Sequence, residues 1–259
     1  MKDTGEASLP TAPQVEQQDM RKLYWLVYGP AGVGKSTFLA SAKGVFFLTT
    51  DSGHKFIKSM HRPVKDWISF KKYVKMIVNE RPDYTAICLD NVDGIFKMCR
   101  KYICDKRGIE HQSDEKWGKA FDLTASEFEL ELMKLTALQQ YGLFFVSHSN
   151  TRDIKTTFGE KTFTDPTMPK QVYKIIVPIA DIVAYMGFDG KIDENGRQAR
   201  RMYFQPTESL DAKDRTSKLP ESIKIPDPRD ANGFEVVERQ LVDRAAAPTK
   251  KKFVIKKKR

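Results

Sequence analysis

Residues 29–36 read Gly-Pro-Ala-Gly-Val-Gly-Lys-Ser, the spacing G-x-x-x-x-G-K-[ST]. No other segment limits the fold as strongly, because this pattern works only between a buried strand and a helix. Residues 23–28 before it are apolar and aromatic, as suits a parallel strand covered on both faces. Residues 37–43 after it suit a helix whose first turn begins inside the loop. Gly29, Gly32 and Gly34 let the backbone curl until N–H groups point at phosphate oxygens, with Pro30, Ala31, Val33 and Thr37 completing the cradle. The helix N-terminus adds partial positive charge. Lys35 is expected to reach the β- and γ-phosphates, and Ser36 to offer its hydroxyl to Mg²⁺. The segment predicts a nucleoside triphosphate site. No base-specificity motif separates ATP from GTP.

The partner half of such a site is a carboxylate that holds the metal's water shell. Asp90 ends the apolar run Ala86-Ile87-Cys88-Leu89 and is the candidate, with Asp93 a second. A strand-end aspartate can equally be a turn or helix cap, since Asn91 and Asp93 follow. Asp51 closes another apolar strand, residues 45–50, and is placed to orient or deprotonate water. His148 ends the strand 143–148, at the same carboxyl edge of a parallel sheet. Its ring is either a γ-phosphate sensor or a structural histidine.

Between these strands the apolar spacing predicts helices over 67–79, from Ile95 to about Lys106, and over 123–140. Residues 109–116 are polar and read as a loop. The stretch that opens at Asn150 and closes at Lys170 is rich in Thr, Lys, Asp, Gly and Pro, and reads as a long functional loop. Residues 182–187 and 201–205 suit a hairpin around the turn signal Asp193-Glu194-Asn195-Gly196. Alternation of this kind predicts an α/β fold with a mostly parallel central sheet flanked by helices. A polar, aperiodic segment over 1–20 reads as disordered, leaving one domain over 21–244 and a tail over 245–259.

Charge singles out that tail. Seven of the 44 Lys and Arg residues lie in the last ten positions, which contain no acid. The remainder is within three charges of balance. A polybasic arm suits nucleic-acid phosphates through counterion release, and a merely solvated tail has the same composition. No stretch approaches the roughly 20 apolar residues of a membrane span, and the N-terminus lacks a signal-peptide apolar region. No membrane partner is expected. Cys88, Cys99 and Cys104 are an odd set without a CxxC pair, which points to a reducing, intracellular setting. With His54, His61, His111 and His148 they show no zinc-ligand spacing.

The order of residues 29–37, Phe47-Leu48-Thr49-Thr50-Asp51, Ile87-Cys88-Leu89-Asp90 and Val146-Ser147-His148 resembles the RecA-type P-loop ATPase core. More closely, the chain resembles short phage-encoded RecA-like proteins of single-strand annealing and recombination. The likeness includes Trp117-Gly118-Lys119, Ala212-Lys213-Asp214-Arg215-Thr216 and Leu219-Pro220. It covers residues 23–242. That resemblance implies ATP and Mg²⁺ as cofactors, a DNA-dependent ATPase, self-association into a ring or filament, and the cytoplasm of an infected bacterium. It makes residues 150–170 a single-stranded DNA loop. Thr151, Arg152, Lys155, Thr156, Thr157, Lys161 and Lys170 would contact phosphates, and Phe158 or Phe163 would stack on bases. Lys213 and Arg215 resemble the K-x-R finger that reaches a neighbouring subunit's γ-phosphate. One departure stands out: Asp51 occupies the place where such ATPases carry a catalytic glutamate, so water shifts or turnover slows. Two other functions use the same loop. One is a helicase loader or replication accessory working through a protein partner, such as a single-strand-binding protein. The other is a small-molecule kinase, for which Arg197, Arg200 and Arg201 are poorly placed as a lid.

Overall fold

The computed structural model describes residues 19–156, 159–192 and 196–245. In chain order the elements are β1 (Tyr24–Gly29), α1 (Lys35–Ala40), β2 (Val45–Thr49), β3 (Met60–Pro63), α2 (Trp67–Glu80), β4 (Ala86–Asp90), α3 (Val92–Arg107) and α4 (Lys119–Thr136). They continue with β5 (Gly142–Thr156), β6 (Gly159–Pro166), α5 (Lys170–Ile179), β7 (Ile182–Ile192), β8 (Gln198–Tyr203), β9 (Lys213–Asp214), β10 (Ser222–Ile225) and α6 (Gly233–Ala245). One sheet runs in the order β10-β8-β7-β1-β5-β4-β2-β3, with β6 paired to β5 and β9 to β7. From β7 to β3 all neighbours are parallel. β8 is antiparallel to β7, and β10 to β8. The fold is therefore the expected α/β architecture with a mostly parallel central sheet.

Alternation along the strands builds a core on each face. Leu26 and Tyr28 of β1 join Trp67, Phe70, Ile95, Phe128 and Val172, from α2 to α5. Trp25 and Val27 point the other way, to Phe38 of α1 and Phe234 and Val237 of α6. Trp25 is fully buried among Phe38, Phe144, Phe204 and Phe234, with ring centroids 5.7 to 6.4 Å away. Its indole N–H donates to the Met20 carbonyl at 2.9 Å. Asp19 caps the 3₁₀ turn Met20–Lys22, and Met20 is buried. Disorder read as far as residue 20 is corrected at those two positions; residues 1–18 lie outside the described residues.

Helix limits follow from caps. Asp66 and Ser69 form a capping box that starts α2, close to the expected 67–79. α4 begins and ends four residues earlier than the 123–140 expected. Gly118, at φ 68°, admits the chain to the helix early, and beyond Thr136 both Leu138 and Tyr141 turn into the core. Within 109–116, read as a loop, the 3₁₀ turn Gln112–Asp114 buries Gln112, whose amide donates to Thr124 Oγ1 at 2.8 Å.

The largest correction concerns residues 150–170. Residues 150–156 and 159–166 are strands, not a loop. β5 continues to Thr156 and pairs antiparallel with β6, from Ser149 opposite Pro166 to Thr156 opposite Gly159. Thr151 and Thr164 hydroxyls meet at 3.3 Å, and the Thr162 hydroxyl donates to Asp153 at 2.8 Å. Such β-branched and polar cross-strand pairs hold a hairpin that is solvated on both faces. Its composition resembles a loop because no face is apolar. Among the described residues, no helix is long and apolar enough to cross a membrane.

Candidate nucleotide site

β1 ends at Gly29, the first residue of the phosphate loop. A Cβ there would lie 2.0 Å from the Met186 carbonyl oxygen, so the close approach of β7 demands glycine. Gly34 has φ 100°, a left-handed value that side chains disfavour. Phe38 N–H donates to the Gly34 carbonyl at 2.9 Å and opens α1. α1 has six residues and stops at Ala40, short of the helix expected to reach Lys43. The cradle therefore rests on N–H geometry more than on a long helix dipole. Val33 is buried beneath the loop, Pro30 is half-buried, Ala31 is exposed, and Ser36 and Thr37 are half-buried on the first turn.

Lys35 is 6% exposed, and its ammonium donates to the carbonyls of Gly29 at 2.8 Å and Pro30 at 2.9 Å. Burial lowers its pKa, while Asp90, Asp93 and Asp51, in decreasing order, oppose that shift. The loop's cation and three carboxylates thus share one electrostatic neighbourhood.

Asp90 ends β4, separated from β1 by β5 alone. Asn91, not Asp90, caps α3: its side chain accepts from Gly94 N–H at 2.7 Å. That leaves the buried Asp90 carboxylate for other work. Its Oδ2 lies 2.9 Å from Nε2 of His54, itself 2% exposed. On the far side of the ring, His54 Nδ1 lies 2.9 Å from the Ser59 hydroxyl, which is 3.3 Å from His61 Nδ1. The tautomer with its hydrogen on Nε2 satisfies both contacts of His54. No local pattern pairs this histidine with Asp90, because 36 residues separate the two.

Asp93 sits beside them, accepting from the Thr167 hydroxyl at 3.1 Å, and burial raises its pKa. Asp51 is exposed at the end of β2, where its carboxylate accepts from Gly53 N–H at 3.0 Å. It borders a cavity of 1220 Å³ shared with Thr50, Asn91, Gly94 and Lys97. Among the described residues no three His, Cys, Asp or Glu side chains form a metal cage. Mg²⁺ held by one hydroxyl, one carboxylate, waters and substrate phosphates needs none, and Ser36 and the buried Asp90 are of the donor types such a site uses.

His148 lies directly opposite Gly29 in the β1–β5 ladder. Its Nε2 is 3.4 Å from Asn91 Nδ2, and its carbonyl accepts from Thr167 N–H at 3.0 Å. Both feet of the β5–β6 hairpin, His148 and Thr167, therefore stand on the segment that carries Asp90, Asn91 and Asp93. Farther out, Arg152 pairs with Asp165 at 2.6 Å and lies 5.9 Å from the Phe163 ring centre, while Lys161 pairs with Glu208. The side chains of Lys155 and Thr156, together with Thr157, Phe158 and the basic tail, fall outside what is described.

Lys213 and Arg215 are elsewhere. Lys213 pairs with Val183 at the amino end of β7, the sheet edge opposite the phosphate loop. Its ammonium donates to the carbonyls of Val177 and Ala180, both at 2.7 Å, and to that of Pro178. Arg215 pairs with Asp181 at 3.3 Å and donates to the Pro178 carbonyl. In this geometry both cations satisfy the carboxyl end of α5 in their own chain.

Residues 21–216 match the family model described as AAA domain. The SPbeta prophage-derived uncharacterized protein YorG of Bacillus subtilis (strain 168) is 24% identical over 178 residues, which is 65% of this chain and 51% of that protein. The chain thus spans about half the length of that curated relative. Among solved structures, the RadB recombinase is similar with a TM-score of 0.42 and 12% identity, over 71% of this chain and 80% of the other.

Proposed function

The chain belongs to the AAA domain family, and from that premise we propose a RecA-like ATPase that assembles on single-stranded DNA and promotes annealing or homologous recombination. The observation that carries the nucleotide part is the glycine-shaped loop of residues 29–37 with buried Lys35, facing Asp90 across a single strand. Lys35 leaves its carbonyl partners for the β- and γ-phosphates. Mg²⁺ bound there would supply positive charge against the negative charge of those phosphates. Ser36 and Asp90 would hold that ion, and His54 fixes one oxygen of Asp90, so the other would be the one to face it. Asp51 orients water from the open side. Being one methylene shorter than glutamate, it gives slow turnover.

The coupling to DNA rests on the hairpin feet. A change at Asn91 or Asp93 on nucleotide binding is felt by His148 and Thr167, and so by both hairpin strands. On the hairpin, Arg152 and Lys161 would exchange their carboxylate partners for phosphates, and Phe163 would stack on a base. The basic tail adds affinity that salt removes. Self-association into a ring or filament and action in a phage-infected bacterial cytoplasm belong to the same reading. Steady-state ATP hydrolysis with and without single-stranded DNA tests it: stimulation by DNA alone supports it, and a rate indifferent to DNA refutes the DNA part.

A second reading, a nucleotide switch that loads a helicase or serves replication through a protein partner, draws on two aromatic rings. Trp117 is 97% and Phe56 93% exposed, and aromatic rings are the residue type that protein interfaces favour. A requirement for a protein partner in the same assay would favour it.

A further inference from the structure

Arg200 was far from the phosphate loop in sequence and is against it in space. β7 pairs with β1 only as far as Tyr185 opposite Tyr28, then runs on to Ile192 past the loop. β8 lines that overhang, with Arg200 opposite Phe188. A Cβ built on Gly34 would lie 2.6 Å from Arg200 Nη1. The guanidinium therefore rests on the lip of the loop, one residue from Lys35. It is held there: its side chain is 15% exposed, and Nη2 lies 3.3 Å from Asp227 Oδ2. Asp227 is gripped in turn by Arg229, at 2.7 and 2.9 Å, and by Arg197 at 3.6 Å. These guanidinium groups, Arg229 foremost, keep its carboxyl well below the usual range.

The order of strands says which part of a triphosphate this cation would meet. Asp90 and Asp51 end strands on the β4–β2 side of β1, so the metal and the γ-phosphate belong on that flank. The α-phosphate and nucleoside must then leave on the other flank, towards β7 and β8. There a narrow crevice joins Gly34, Thr37 and Ser41 to Arg200 and Pro226. Beyond it lies a cavity of 330 Å³ walled by Gln198, Lys224, Pro226, Asp227 and Asp230. That volume is at the lower end of small-ligand sites, and its walls offer donors and acceptors with one proline face.

We propose that Arg200 is a nucleotide-binding residue acting within its own subunit, clamping the α-phosphate of a nucleoside triphosphate whose nucleoside occupies the cavity between β8 and β10. This rests on the reading that residues 29–37 bind such a triphosphate. Asp227 is its positioning residue, fixing the planar fork so that two N–H groups face outward for a bidentate phosphate contact.

Equilibrium calorimetry of ATP and of inorganic tripolyphosphate, on the full chain, tests the assignment. Arg200→Ala should weaken ATP binding at least tenfold, and Arg200→Lys, which keeps the stem and charge but not the fork, three- to tenfold. Wild type should prefer ATP to tripolyphosphate at least tenfold, because only ATP fills the cavity. ATP affinity within twofold of wild type in Arg200→Ala overturns the clamp. If that variant does not fold, the same result in Arg200→Lys does so, and equal affinity of wild type for ATP and tripolyphosphate overturns the nucleoside cavity. Lys35→Ala separates the two layers of inference. If it loses binding while Arg200→Ala does not, only the clamp fails; if wild type binds no nucleotide, the underlying reading fails.

Discussion

Replacing His54 by alanine should destabilise the protein before any nucleotide is added. The imidazole is 2% exposed and donates to a carboxylate that is itself almost wholly buried. A hydrogen bond to a charged group is worth about 1.5–3 kcal/mol, and its loss leaves Asp90 desolvated without that donor. The vacated ring volume beside Phe47, whose ring centre is 4.6 Å away, adds a cavity cost. Together these put the loss at about 3 kcal/mol. For a chain of this size that is a fall of roughly 6–12 °C in Tm. His54→Gln, whose amide N–H can reach towards the position of Nε2, should recover about half of the fall. Thermal unfolding followed by circular dichroism without nucleotide measures it. With ATP present, His54→Ala should also need more Mg²⁺ for the same binding, because Asp90 is no longer held in one orientation. A Tm within about 1 °C of wild type, with an unchanged Mg²⁺ requirement, would refute the claim that His54 organises the metal side of the site.

Asp51→Asn should bind MgATP with near wild-type affinity yet lose most hydrolysis, and Asp51→Glu should turn over at least as fast as wild type; equal rates in wild type and Asp51→Asn exclude that residue from the chemistry. Lys213→Ala should lower the Tm of the monomeric protein by roughly 4–8 °C, since it uncovers helix carbonyls worth about 2 kcal/mol. An intersubunit finger predicts the opposite: an unchanged melt, lost hydrolysis, and activity restored by mixing Arg215→Ala with Lys35→Ala.

How much of this was readable beforehand varies with how local each signal is. The phosphate loop and the Asp90 and Asp51 strands were legible, because a glycine turn between apolar runs and a carboxylate at a strand end are local patterns. His148 was also placed at the correct edge, since a parallel sheet gathers its strand ends there. His54 and Arg200 were not legible. Each reaches the site only through long-range packing, His54 by a 3₁₀ turn folding back on β4 and Arg200 by a strand that outruns its neighbour. The β5–β6 hairpin was misread because polar residues on both faces erase the apolar alternation. Thr162 and Thr164, opposite Asp153 and Thr151, retain the period of two in β-branched residues on β6, which was the usable clue. Lys213 and Arg215 are a different case: the motif pointed to a task on a neighbouring subunit, while within their own chain the cations are engaged by the nearest helix end.

The central claim, that residues 29–37 bind a nucleoside triphosphate through Lys35, is tested most directly by titrating MgATP onto wild type and Lys35→Ala by calorimetry. The lysine is buried against loop carbonyls and feels the charge of Asp90, Asp93 and Asp51, and its removal takes away the point charge facing the β- and γ-phosphates. The account predicts saturable one-to-one binding by wild type and at least a hundredfold weaker binding by Lys35→Ala, with no change in fold by circular dichroism. Affinities within twofold of each other, or a wild type that binds no nucleoside triphosphate, would contradict it.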